Sequence, residues 1–308
     1  MRIGLTERNF IQQLQKRFPA KPPVVTGIGD DGAVLDCADQ QQQIVVTDML
    51  LDQVHFDLGK TSAQLVGRKA VAVNLSDLAA MACWPTAAFV SIAVSRAQKA
   101  SDEFTGELYD GMAALAEEFR FSIAGGDTNY WDGPFAINVC LTGIPMREQA
   151  VLRSGAKPGD KLFVTGPLGG SFPGDRHLTF EPRLYTAMWL AENVDVHAMM
   201  DVSDGLSIDL HRMMEASGTG AVLYESCIPI HSDVSQAIPA SDRLEAAFSD
   251  GEDFELLFAI SPDDEGKLHA AQSDFHFIGS VSESPGEVLI EDSGGERAVL
   301  PETGWQHS

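Results

Sequence analysis

Residues 62–81 read SAQLVGRKAVAVNLSDLAAM, the longest helical pattern in the chain. The second half of this stretch, AVNLSDLAAM, is apolar except for Asn74, Ser76 and Asp77. Asn74 and Asp77 stand three residues apart and therefore share a face of the helix. A carboxylate in such surroundings is costly unless it is paired or holds a metal. The structural alternative is that Asp77 caps a neighbouring loop.

Strand-like runs lie on both sides of this helix. Residues 33–36 and 44–48 are separated by a polar turn, DQQQQ, and residues 86–95 follow the helix as a third strand. A helix over residues 101–119, a short strand at 121–124 and a strand at 135–143 come next. Before them, residues 6–18 form an amphipathic helix, with Thr6 as N-cap and Phe10, Ile11, Leu14 and Phe18 on one face; Pro22 and Pro23 end it. Strands alternating with two long helices give an α/β or α+β layer arrangement. The glycine- and proline-rich turn LRSGAKPGD, residues 152–160, marks a boundary between two domains, 1–150 and 151–308. The second domain repeats the alternation. A strand at 161–166 is followed by a helix opened by Phe180–Arg183 and running to Asn193. Residues 199–204 then lead into a helix ending at Ser217, strands follow at 221–226, 254–260 and 275–281, and a hairpin over 288–300 closes the chain.

The chain has 308 residues, 44% of them hydrophobic, which suffices for two cores. The sequence contains no apolar run of membrane-spanning length, and its first residues are charged and helix-patterned, without the apolar centre of a signal peptide. Cys37, Cys83, Cys140 and Cys227 are scattered without CxxC spacing, which argues against zinc or a disulfide framework and suits a reducing cytoplasm. With 45 acids against 21 bases the net charge is −24, so a nucleic-acid backbone would be repelled.

The acids are not evenly spread. GIGDDG at residues 27–32 sets Asp30 and Asp31 side by side between glycines, where they repel each other unless a cation or water screens them. The same chemistry returns as Thr47-Asp48, as Asn74-Leu75-Ser76-Asp77, as Gly125-Gly126-Asp127, as Asp201-Val202-Ser203-Asp204-Gly205 and as Asp250-Gly251-Glu252-Asp253. Together these elements describe a shell of hard oxygen ligands. Carboxylates, glycine-rich turns and few cations suit phosphoryl transfer with several Mg²⁺ ions, which bridge carboxylates to phosphates. The common nucleotide loops are absent: there is no GxxxxGK[ST], no kinase HRD or DFG set, and no GxGxxG opening a helix.

GIGDD, the TD pair at 47–48, AVNLSDLAAM, GGDT, LRSGAKPGD, VSDGL, GED at 251–253 and Gly304-Trp305 follow in the order found in thiamine-monophosphate kinases. On these motifs the chain resembles that family, a branch of the aminoimidazole ribonucleotide synthetase-like (PurM-like) superfamily. The resemblance implies a two-domain α/β PurM-like fold and a cytoplasmic homodimer paired through its N-terminal domain. It implies transfer of the γ-phosphate of ATP onto thiamine monophosphate, giving thiamine diphosphate in thiamine biosynthesis. By residue match, Asp30, Asp31, Thr47, Asp48, Asp77, Asp127, Asp201 and Asp204 resemble the Mg²⁺ ligands. Gly126, Asp127, Arg153 and Ser203 resemble the ATP contacts, and His55, Glu252 and Trp305 the residues that hold thiamine monophosphate. The loop PLGGSFPGDRH after VTG is shorter than the family's, and Asn129 stands where the family usually has a second threonine.

The residue chemistry agrees with that implication. An acceptor that is already an ionised phosphate needs no strong general base, so no catalytic side chain is assigned. A cationic thiazolium ring suits Glu252 and the face of Trp305. Each residue also has a plainer reading: Arg153 as a surface arginine, Glu252 as a loop acid, Trp305 as a packing aromatic, His55 as a surface histidine. Two other functions stay open, another ATP-dependent synthetase of the superfamily (of the selenophosphate or aminoimidazole ribonucleotide type) and a non-catalytic dimeric scaffold.

Overall fold

The computed structural model describes residues 7–37, 41–96, 102–236, 238–271 and 274–305. Two sheets organise it. Strands β1 (Val24–Thr26), β2 (Ala33–Asp36), β3 (Gln42–Leu51), β4 (Cys83–Ser95), β5 (Ser122–Trp131) and β6 (Ala136–Pro145) form the first, in the order β1-β2-β3-β6-β4-β5. Helices α2 (Ala63–Ala80) and α3 (Asp102–Glu118) pack together beneath it. They cross at glycines, since a Cβ on Gly67 would lie 1.9 Å from the Leu108 carbonyl oxygen and one on Gly111 1.9 Å from that of Gln64. Close backbone approach of this kind admits no side chain.

The second sheet holds β7 (Lys161–Val164), β8 (Val196–Asp201), β9 (Gly220–Tyr224), β10 (Leu256–Ile260), β11 (His276–Ser282), β12 (Val288–Glu291) and β13 (Arg297–Val299), ordered β13-β12-β9-β11-β7-β10-β8. Helices α4 (Leu184–Asn193), α5 (Leu206–Ser217), α6 (Ala240–Ser249) and α7 (Glu265–Ala270) accompany it. Among the described residues no helix is long and apolar enough to cross a membrane.

Helix α2 lies between the two sheets. It packs on β3, β4 and β6 on one side and on α4 and β8 on the other, which explains why its sequence is apolar all round. One continuous core therefore runs from Ile44 and Leu141 of the first sheet, through Leu78 of α2, to Phe163, Met199 and Phe258 of the second. Ser62 caps α2, its hydroxyl accepting from the Leu65 N–H, where the sequence places the start of this helix.

Several expectations are corrected. The short strand expected at 121–124 is ten residues long and carries Gly125, Gly126 and Asp127 in its middle, hydrogen-bonded in parallel to β4. The expected α4 start at Phe180–Arg183 moves to Leu184, because Pro182 and the preceding segment form a loop. Part of the glutamine run expected in a turn begins β3 at Gln42. Helix α1 (Glu7–Arg17) forms, yet Phe18 falls beyond its end and is exposed beneath the Arg17 guanidinium. Thr6, the expected cap, lies outside the described residues.

Candidate active site

Period-two alternation in β3 sends Thr47 and Asp48 to opposite sides of the first sheet. Asp48 follows Ile44 and Val46 toward the helices, where its carboxyl is hydrogen-bonded to that of Asp77 from α2. Asp201, the last residue of β8, arrives from the second sheet, and the Ser76 hydroxyl donates to its Oδ2 over 2.6 Å. Asp31 enters from the loop before β2. Oxygens of Asp31, Asp77 and Asp201 lie within 4.8 Å of one another. Asp31 Oδ2 is buried and accepts no hydrogen bond among the described residues. A triad of carboxylates with an unsatisfied oxygen is a donor set suited to a hard divalent cation; no other grouping of three such side chains converges this way among the described residues.

Burial dominates the electrostatics. It raises Asp30 and Asp48, each from 3.8 to about 6, with Asp31 adding to both shifts. Asp77 and Asp201 are pushed well above the ordinary value, first by burial and then by the neighbouring carboxylates. Arg153 only partly compensates: its guanidinium donates to Asp31 Oδ1 over 2.6 Å and lies 3.8 Å from Asp30, while its Nε is left without an acceptor. Arg212 of α5 bridges Asp204 and Asp209 at 2.5 and 2.9 Å. Burial and Asp204 together raise Asp209 to about 7.

A cleft of about 710 Å³ opens beside this cluster, lined by Asp30, Asp31, Thr47, Arg153, Asp204 and Arg212. Helix α1 forms one wall, tied down by Arg8 to Glu215 and Glu302 and by the Gln15 amide to the Ile28 carbonyl. A second cleft of about 850 Å³, between segments 146–154 and 191–197, contains none of the candidate residues.

The residues assigned to the acceptor form a second group. Glu252 follows Gly251 in a loop whose backbone is left-handed at both, with φ of 55° and 68°. Its N–H donates to the Ser203 carbonyl, and the Trp305 N–H donates to the Asp204 carbonyl, so both loops converge on the VSDG turn. The Trp305 ring is half exposed. His55 lies between β3 and α2, its Nδ1 accepting from the Leu51 N–H.

The remaining candidates stand elsewhere. Asp127 and the Thr47 hydroxyl sit on the sheet face opposite the helices. There Met49, Asn138, Ser91 and Asp127 form a row across four strands, and Asn138 donates to the Thr47 hydroxyl. Asp127 accepts from the Thr128 N–H and the Asn129 amide. Gly126 is also dictated locally, since a Cβ there would lie 1.7 Å from the Val90 carbonyl oxygen. Within one chain, then, Asp30, Asp31, Asp48, Asp77, Asp201 and Asp204 are brought together; Thr47 lines the same cleft although its hydroxyl is on the open sheet face, and Asp127 is not among them.

Two residues beside Glu252 and His55, namely Lys69 and His177, are not singled out by any motif in the sequence. Lys69 of α2 is fully buried, with Nζ 2.5 Å from Glu252 Oε2 and 2.7 Å from His177 Nδ1. Burial lowers its pKa below 10.5, with Glu252 offsetting part of the effect. Burial alone would raise Glu252, but His177 and Lys69 outweigh it and hold the carboxyl below 4.5. A lysine flanked by Val66 and Val73 on an apolar helix was the available signal.

Comparison with known proteins supplies the context. Residues 29–145 match the AIR synthase related protein N-terminal domain, and residues 157–292 the corresponding C-terminal domain. The thiamine-monophosphate kinase of Rhodopirellula baltica is 45% identical over 84% of this chain and 83% of its own length. That of Bacillus subtilis is 33% identical over 98% and 99%. The solved complex of AaThiL with AMPPCP and TMP superposes with a TM-score of 0.85 at 27% identity, covering 100% of this chain and 99% of the other.

Proposed function

The chain belongs to the AIR synthase related family, and within it to the thiamine-monophosphate kinases, and on that premise we propose that it moves the γ-phosphoryl group of ATP directly onto thiamine monophosphate. In this reading an oxygen of the acceptor phosphate forms the new P–O bond as the bond to ADP breaks, in line, giving thiamine diphosphate and ADP. The observation that carries the reading is the convergence of Asp31, Asp77 and Asp201 with an unsatisfied buried oxygen, beside a cleft large enough for a nucleotide.

Asp30, Asp31, Asp48, Asp77, Asp201 and Asp204 would hold several Mg²⁺ ions. Those ions would supply charge neutralisation between two polyanions, the main obstacle to bringing donor and acceptor phosphates together. Arg153, which donates to Asp31, would offer its planar guanidinium to a phosphate once that carboxylate held a cation. Ser203, next to Asp204 of that cleft, would contact the nucleotide in the same assignment, and Gly126, beside Asp127 on β5, would do so only from a site completed by a second copy. Glu252 and Trp305 take the cationic acceptor between a carboxylate and an aromatic face, with His55 beside them. The acceptor phosphate is already ionised, so no side chain is needed as a general base.

Residues 1–150 act as the ATP- and Mg²⁺-binding and dimerisation domain, and residues 151–308 as the second domain. The open face of the first sheet carries the exposed Met49 and Phe89, an apolar surface suited to a second copy. Thr47 and Asp127 lie on that same face, so in a homodimer they serve a site completed at the interface. The four free cysteines suit the reducing cytoplasm, where we place the enzyme.

The test is a product assay. Purified protein is incubated with ATP, Mg²⁺ and thiamine monophosphate, with free thiamine as parallel acceptor, and products are separated by chromatography. Thiamine diphosphate formed from the monophosphate alone, and lost with EDTA, is expected. No diphosphate from folded, ATP-binding protein would overturn the reading in favour of a sister synthetase or a scaffold.

A further inference from the structure

Three segments meet at one buried nitrogen. Lys69 Nζ donates to the His55 carbonyl over 2.7 Å and to Glu252 Oε2 over 2.5 Å, and it lies 2.7 Å from His177 Nδ1. The His55 carbonyl and the Glu252 carboxylate take two of the three ammonium donors, and His177 Nδ1, 2.7 Å from Nζ and 3.0 Å from the same Glu252 oxygen, completes the cluster. Its side chain has no exposed surface, and Glu252 retains only one-fifth of its own. Lys69 therefore does not touch a ligand in the cleft, but two of its partners are residues assigned to the acceptor.

The surroundings lock the arrangement. Phe172 stacks on the His177 ring at 4.4 Å and lies 5.7 Å from Lys69 Nζ, closing the outer side. Arg68, the preceding residue on α2, donates to the carbonyls of Leu178 and Phe180. The short loop between β7 and α4 is thus held to α2 by two consecutive side chains. It is also stitched to the Glu252 loop, because Arg176 pairs with Asp253 at 2.9 Å and the Gly169 N–H donates to the same carboxylate. Glu252 itself sits in left-handed backbone, which a non-glycine residue keeps only when its surroundings over-determine it.

We propose that Lys69 is a positioning residue for acceptor recognition: by gripping the His55 carbonyl, the Glu252 carboxylate and His177 together, it fixes the two acceptor-contacting loops relative to α2 and so sets selectivity for the cationic phosphate monoester. This rests on the functional reading above, in which His55 and Glu252 hold the acceptor. The nucleotide end depends on Asp31, Asp77, Asp201 and Arg153, none of which Lys69 contacts. Removal of Lys69 leaves the Glu252 carboxylate without its cation, and the loop turns outward to water.

The experiment uses the full-length enzyme and compares wild type, Lys69→Met, Glu252→Gln and the double variant, with the two KM values and kcat measured separately. For Lys69→Met the KM for thiamine monophosphate is expected to rise about tenfold or more while the KM for ATP stays within about twofold. The double variant is expected to be no worse than Glu252→Gln alone, because Lys69 acts through that carboxylate. Lys69→Gln, whose amide keeps two N–H donors without the charge, should recover part of the loss; it also replaces Lys69→Met if that variant fails to fold. A parallel rise of both KM values, or fully additive losses in the double variant, overturns the assignment. If wild type itself leaves thiamine monophosphate unphosphorylated, the functional reading falls instead, so the two failures are distinguishable.

Discussion

Replacing Asp77 by asparagine should stabilise the protein in the absence of divalent cations while abolishing turnover. In the folded state Asp77 is largely buried with Asp48, Asp201 and Asp31 as its nearest charges, and burial first, then those carboxylates, drive its pKa well above 3.8. A carboxyl raised in this way favours folding below its unfolded pKa and loses that contribution as pH rises toward the folded value. At pH 8 the wild-type residue either ionises against its neighbours or keeps a proton that water would have removed, and both cost free energy. Asp48, raised from 3.8 to about 6, gives the scale: about 3 kcal/mol for one such group. At about 2 °C per kcal/mol for a chain of this size, Asp77→Asn should raise Tm by roughly 6 °C in EDTA at pH 8. Saturating Mg²⁺ should reverse the order, because wild type gains binding free energy that the variant cannot. Differential scanning calorimetry at pH 5 and pH 8, with and without Mg²⁺, reads all of this. The metal-free gap between the two proteins should narrow at pH 5. A variant less stable than wild type in EDTA at pH 8, or an equal Mg²⁺ response in both, would refute the assignment of this cluster as a cation site.

Two further outcomes follow from the same geometry. Trp305→Ala should weaken thiamine monophosphate binding by about tenfold, the scale of one cation–π contact, and leave ATP binding nearly unchanged, as calorimetric titration would show; equal loss of both ligands returns Trp305 to a packing role. Phe89→Asp, on the open face of the first sheet, should give a folded monomer in light scattering and lose activity with it; a fully active dimer would move the interface elsewhere.

Much of the site could be read in the chain because it rests on chemistry that is local in sequence. Adjacent carboxylates between glycines, or an aspartate in an apolar helix, are costly wherever they fold. What could not be read depends on how distant segments meet. The register of β5 on β4 is one instance, since it aligns Asp127 with Ser91, Asn138 and Met49 on the face away from Asp77. Lys69 is another: in sequence it follows Arg68 as one of two basic residues on a helix, and only packing from the Glu252 and His177 loops makes it fully buried. Helix α6 carried a readable pattern in Leu244, Ala247 and Phe248 and went unassigned. The extension of β5 through Gly125 and Gly126 ran against their low strand preference, which pairing with β4 overrides.

The Ser76 hydroxyl touching Asp201 joins helix α2, from the first half of the chain, to strand β8 of the second sheet. Asp31 and Asp77 come from the first half of the chain and Asp201 from the second, so a half exchanged for its counterpart from a relative would need the other re-fitted. A change of carboxylate on one side should therefore be tolerated only with a matching change across the seam.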